Sequence, residues 1–207
     1  MCRSLGGMDR SFFMFQHAQV HSADVAESPM GHLPDVIYGG LDDDILRAVP
    51  AGQANSMIWL LWHMARSEDV AISMMLCGDD QLWDDKWADR TAAGFPDFGT
   101  GHSAEEVAQL SRTCSIEDLQ SYRSAVGRRS RDLLTKIDTI ELERVRSSEE
   151  IERLDSVAAL HSSVPWVKDF WGGRPGYFFL WVAIGHSYMH LQEASVIRSL
   201  QGTGLGI

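Results

Sequence analysis

The chain has 207 residues, 44% of them hydrophobic, which suits one domain with its own core and argues against disorder. Acidic residues outnumber basic ones, 29 to 18, and the formal net charge of −11 repels nucleic-acid phosphates and anionic lipid, so neither is an expected partner. Cys2, Cys77 and Cys114 form no CxxC pair, and no apolar run reaches the ~18 residues of a membrane span, so a soluble protein of a reducing, cytoplasmic compartment is expected.

The start, MCRSLGGMDRSFFMF, has too short an apolar stretch for a signal peptide, and Met8 or Met14 offers an alternative start. A single domain over 1–207 is expected, with 1–28 as an N-terminal extension of weak periodicity that carries His17 and His21. Ser28 and Pro29 resemble an N-cap and first helical position, opening a short helix toward Tyr38 that Gly39 and Gly40 close. Asp42 to Asp44 lead a turn of helix ending at Pro50, and the first long helix runs from about Gln53 to Cys77, stopped by Gly78. Gly78 to Gly101 reads as a long crossover whose Trp83, Trp87, Phe95 and Phe98 lie against the bundle. Ser103 with Glu106 makes a capping-box pattern and Ser115 with Asp118 a weaker analogue; a helix then extends to about Lys136. Its arginines, Arg123, Arg128, Arg129 and Arg131, are expected to form a solvated face. Glu149 to Leu160 adds a short helix, and Pro175 opens the last long helix, which reaches about Gln201.

No segment alternates like a strand. The expected fold is therefore all-α: a four-helix bundle, up-down-down-up, with the long crossover between helices 2 and 3.

Three histidines lie where such a bundle would bring them together. His63 is the only ionisable residue from Met57 to Ala65, in NSMIWLLWHMAR, and must be neutral and bonded to something if buried. His186 and His190 lie four apart in FFLWVAIGHSYMHLQEA, on one helical face. Composition alone gives roughly 0.3 such pairs, and His17/His21 is a second, so spacing proves little and the matching apolar contexts carry the argument. Three neutral imidazoles suit a transition metal with open coordination positions. Glu193 shares the face of His186 and His190 and is placed to orient an imidazole or to act as a base. Asn55, Arg66 and Glu68 flank His63 and read as surface or helix–helix polar groups, while His161 and Asp169 are candidates for a cavity mouth. HExxH, Glu-x-x-His and GxSxG are absent, and GTGHSA follows no strand, so it reads as a loop leading into a helix and not as a dinucleotide site.

NSMIWLLWHMARSED, GTGHSAEEVAQL and GHSYMHLQEASVIRSLQG together resemble the DinB-like superfamily of four-helix-bundle metalloproteins, over roughly Pro29 to Gly202. The resemblance implies one metal-ligating histidine on the second helix, His63, and an HxxxH pair on the last, His186 and His190. It also implies a divalent metal, often zinc or nickel, and frequent homodimers. Relatives include mycothiol-dependent maleylpyruvate isomerase and other thiol-dependent S-transferases. The isomerase-type site has a glutamate where this chain has a third histidine, so the resemblance stops short of that reaction. The expected function is a metal-dependent enzyme on a small molecule, a thiol S-transferase or a hydrolase, with a low-molecular-weight thiol as a second cofactor. The alternative is a non-catalytic bundle that binds a ligand or partner through structural histidines. The segment WVKDFWGGRPGYFF, within 164–178, has no role from sequence, and neither have His17 and His21.

Overall fold

The computed structural model describes residues 10–204, so Cys2 and the alternative start Met8 lie outside it. Its elements in chain order are α1 (Arg10–Gln19), α2 (Leu33–Tyr38), α3 (Asp43–Arg47), α4 (Met57–Glu68), α5 (Asp85–Thr91), α6 (Ala104–Thr113), α7 (Ile116–Lys136), α8 (Ile140–Glu143), α9 (Ser148–Ser156), α10 (Trp166–Trp171), α11 (Gly176–Trp181) and α12 (Ser187–Leu200). Two π-helical segments extend this set: Asp69–Leu76 continues α4, and Val182–His186 joins α11 to α12. Among the described residues the only strand-like feature is an isolated bridge between Val145 and Pro175.

The helices start where short polar side chains can take the first free amides. Asp42, Ser56, Asp84, Ser103, Ser115 and Ser147 each accept a backbone N–H from three residues on, and Ser103 and Ser147 complete capping boxes with Glu106 and Glu150. Ser28 does not play this role. Its hydroxyl accepts the Met30 amide in a turn, and the helix starts later, at Leu33. The crossover also differs from its expected form, because Asp84 caps a helix of its own within it. Trp83 and Trp87 pack on Tyr122, away from the histidines.

Every residue from Met57 to Leu76 is buried, so this stretch is the centre of the bundle. It packs on α7 and α12 along α4, and on α7 and α11 along its π-helical continuation. Polar side chains on such a helix need internal partners. Arg66 donates to Tyr122, Gln81 and the Pro96 carbonyl, and Asp69 accepts the Leu82 and Trp83 amides and the Tyr122 hydroxyl.

One expectation is corrected by Glu68. Its carboxylate accepts His17 Nε2 at 2.9 Å, His21 Nε2 at 2.9 Å and an Arg123 N–H at 2.6 Å, all within the core. Arg123 is therefore no part of a solvated face: a buried carboxylate requires a counter-charge, and Arg123 is the residue of α7 that reaches it. Within the described part of the 1–28 extension, His17 and His21 are fully buried and α1 contacts the π-helical segment before α12.

Candidate metal centre

His63 projects from the middle of α4, stacked on Trp59 with ring centroids 4.8 Å apart. Its Nδ1–H donates to the backbone carbonyl of Phe98, which fixes the tautomer and leaves a lone pair on Nε2. The loop can reach that position because of Gly99. Its φ is +87°, and a Cβ there would come within 2.6 Å of Trp62 and 2.9 Å of Trp59. Trp59 also donates its indole N–H to His102 Nδ1, at 3.1 Å, so the loop and α4 are tied on both sides of His63.

His190 is fixed in the same way from behind. Its Nδ1–H donates to Glu193 at 2.9 Å, and the other carboxylate oxygen of Glu193 accepts from Asn55 at 2.8 Å. Nε2 of His190 is therefore also a bare lone pair. His186 Nε2 stands 3.1 Å from His63 Nε2 and 3.0 Å from His190 Nε2, while its Nδ1 is buried with no partner. One hydrogen on His186 can satisfy one of those two contacts at most, which leaves at least one lone pair of His63 or His190 without a donor. A shared cation removes the conflict. Bonds of about 2.0–2.1 Å from one ion to each ring would hold the nitrogens about 3 Å apart, as they are.

Two of the rings are also held in the protonation state that ligation needs. Burial, reinforced by the neighbouring imidazoles, pushes His63 well below its ordinary pKa and His186 down to about 3. Burial pulls the Glu193 carboxyl upward, but its bonds from His190 and Asn55, with His190 and His63 nearby, outweigh it and keep it ionised.

A cavity of about 140 Å³ opens on His63 and His186. Its walls are Phe98 and the segment left unassigned by sequence: Trp166, Phe170, Trp171, Phe178 and, just beyond it, Trp181. The π-helical segment explains how Trp181 and His186 share this cavity. Five residues along an α-helix diverge by about 140°, whereas i→i+5 bonding brings them to one side. Of the crossover aromatics, Phe98 alone lines the cavity; Phe95 instead packs on His102. His161 bonds Glu106 and Ser163, and Asp169 is exposed, so neither forms part of the cavity wall. Glu193 is absent from that wall too, since it lies behind His190. The Phe98 carbonyl escaped sequence reading, because a loop carbonyl leaves no signature; Asn55, read there as a surface or helix–helix polar group, bridges the start of α4 to Glu193 on α12.

A family model described as the DinB superfamily matches residues 37–194. The crystal structure of a conserved protein from Enterococcus faecalis is similar over 93% of this chain and 96% of its own, with a TM-score of 0.66 and 21% identity, a likeness of fold alone. No curated protein matches the chain.

Proposed function

The chain belongs to the DinB superfamily, and we propose that it is a metal-dependent enzyme acting on a small molecule, of thiol S-transferase or hydrolase type. One observation carries the reading: His63, His186 and His190 turn three Nε2 atoms to one point, with two of those atoms fixed as lone pairs by hydrogen bonds behind the rings. The set suits zinc or nickel. When bound, such an ion supplies Lewis acidity that lowers the pKa of a thiol or water, or polarises a carbonyl.

The chain's own residues do the rest. Glu193 and Asn55 hold His190 in register, the orienting role of the two that the sequence offers for Glu193. The aromatic walls give His63 and His186 an apolar side. Neither Cys77 nor Cys114 serves as a nucleophile: burial pushes their thiols up to about 11 and about 12. With the described cysteines set aside, the sulfur nucleophile of this reading is an external low-molecular-weight thiol. Both cysteines are free, which supports a reducing, cytoplasmic setting. The up-down-down-up order of four principal helices and a homodimer belong to the same reading; exposed Met189, Val196 and Leu200 along α12 support the second. Sedimentation at micromolar concentration would test the dimer.

Metal analysis of protein purified without an affinity tag should find about one divalent ion per chain, and none in His186→Ala/His190→Ala. Full occupancy in that variant would remove the site. Cobalt-substituted protein should develop a sulfur-to-metal charge-transfer band on adding a small thiol; an unperturbed spectrum would favour hydrolysis over S-transfer.

A further inference from the structure

Of the two hydroxyls on the central helix, Ser73 donates to Asp69 and Ser67 makes no hydrogen bond among the described residues. Ser67 is 2% exposed and lines the cavity one turn beyond His63. A hydroxyl that opens onto a cavity and has no protein partner is free to bond what the cavity holds.

The rest of the cavity limits what that something can be. No Asp, Glu, Lys or Arg lines it, so in the metal-free protein a carboxylate or phosphate would sit there without a counter-charge. A cationic headgroup could use the aromatic rings instead, but the Arg174 guanidinium already lies over Phe170 and Phe178, 4.9 and 5.5 Å from their centroids. Its positive charge at the wall repels a second cation. The volume of about 140 Å³ is close to the roughly 150 Å³ of an apolar protein cavity that accepts one benzene molecule. Rings stacked edge to face, such as Phe178 on Trp171, present the surfaces that a flat aromatic ligand packs against.

We propose that this cavity takes the uncharged aromatic end of the substrate: one six-membered ring whose hydroxyl or thiol substituent hydrogen-bonds Ser67 beside the imidazoles. The proposal rests on the reading above for what becomes of that substituent, since the three histidines form the reactive end. Ring binding itself needs only the cavity, and Ser67 is the residue that selects for a polar substituent.

The test uses metal-free protein and three probes of one size: benzyl alcohol, toluene and benzoate, followed by quenching of tryptophan fluorescence and by ligand-observed NMR. Benzyl alcohol should bind, and benzoate should bind at least ~10-fold more weakly. Ser67→Ala should weaken benzyl alcohol about fivefold and leave toluene unchanged. Trp166→Ala and Phe170→Ala alter exposed wall residues, 54% and 41% accessible, and so should keep the fold while weakening both neutral rings. Benzoate binding as tightly as benzyl alcohol, or equal loss of benzyl alcohol and toluene in Ser67→Ala, would overturn the proposal. Zinc or nickel titration of the same samples separates the two readings. Ring binding without metal uptake removes the metal and keeps the cavity; metal uptake without ring binding does the reverse.

Discussion

The molecule holds two buried groups built to one recipe: an HxxxH pair and a residue of the central helix. In the first, His186 and His190 meet His63; in the second, His17 and His21 meet Glu68. Their hydrogen bonds run in opposite senses. At the first, His63 and His190 donate outward through Nδ1 and face each other with lone pairs, so the centre lacks a positive charge. At the second, both imidazoles donate inward through Nε2 to a carboxylate, and Arg123 supplies the positive charge on the same oxygen that His21 contacts. A divalent ion would relieve the first group. At the second it would displace imidazole hydrogens and stand against a guanidinium. The same spacing thus makes a candidate metal centre in one place and a clasp in the other, and what decides is the third residue and its counter-charge.

The largest effects should separate the two groups outright. His63→Ala should abolish stoichiometric metal binding, whereas His17→Ala/His21→Ala should keep about one ion per chain, both read by calorimetric titration of untagged protein. Loss of the ion in the second variant with its fold intact would mean that the groups had been assigned in reverse. Stability should respond the other way. Arg123→Ala leaves Glu68 without its counter-charge and should cost about 3–5 kcal/mol in urea unfolding, the usual range for breaking a buried pair. A cost below about 1 kcal/mol would place the pair among exposed ones.

A smaller effect tests how the metal group is held. Glu193→Ala removes the acceptor behind His190 and should weaken metal binding roughly 10–100-fold, while helicity stays unchanged. Glu193→Gln retains an acceptor for the same N–H and should recover most of that affinity. A proton carrier would behave differently: Glu193→Gln would keep the metal yet lose turnover ~10²-fold.

How much of this could be read from the chain follows from what each feature depends on. His63, His186 and His190 were legible because each is a polar residue in a long apolar helix, a contradiction that burial has to resolve. The caps at Ser103 and Ser115 were legible because they are local. Arg123 was not, since its spacing on α7 is that of an ordinary solvated arginine and its partner Glu68 lies 55 positions away. His17 and His21 gave a pair but no reason for it, because α1 is short and its burial depends on α7. Gly127 shows the dependence: a Cβ there would stand 2.5 Å from His21 Nδ1. The aromatic segment was visible as composition, yet which residues turn inward depends on the π-helical segment that re-phases Trp181 and His186. Periodicity counted at 3.6 residues per turn does not detect such a segment.

The smallest expected effect is a difference in slope with pH, and it bears on the clasp. Burial, with Arg123 adding to it, pushes His21 down to about 3 despite the pull of Glu68. In the unfolded chain its pKa returns to about 6.5. Between those values the unfolded chain takes up a proton that the folded chain refuses, so this contribution is full above about pH 6.5 and is lost as the pH falls toward 3. The slope is about 1.4 kcal/mol per pH unit for one proton. Burial pulls Glu68 upward, but His21, Arg123 and His17 hold it well below its usual value, so its share is lost in the same direction but only at more acid pH. His63 and His186 are also kept neutral, and in metal-free protein they steepen the slope of every chain that retains them. They cancel in a comparison of wild type with His21→Gln, whose amide can still donate to Glu68. Urea unfolding of the two metal-free proteins at about pH 6 and about pH 5 should show the wild type losing about 1 kcal/mol more than the variant. Equal losses would mean that His21 takes up its proton inside the fold, and the clasp would then carry an imidazolium beside Arg123.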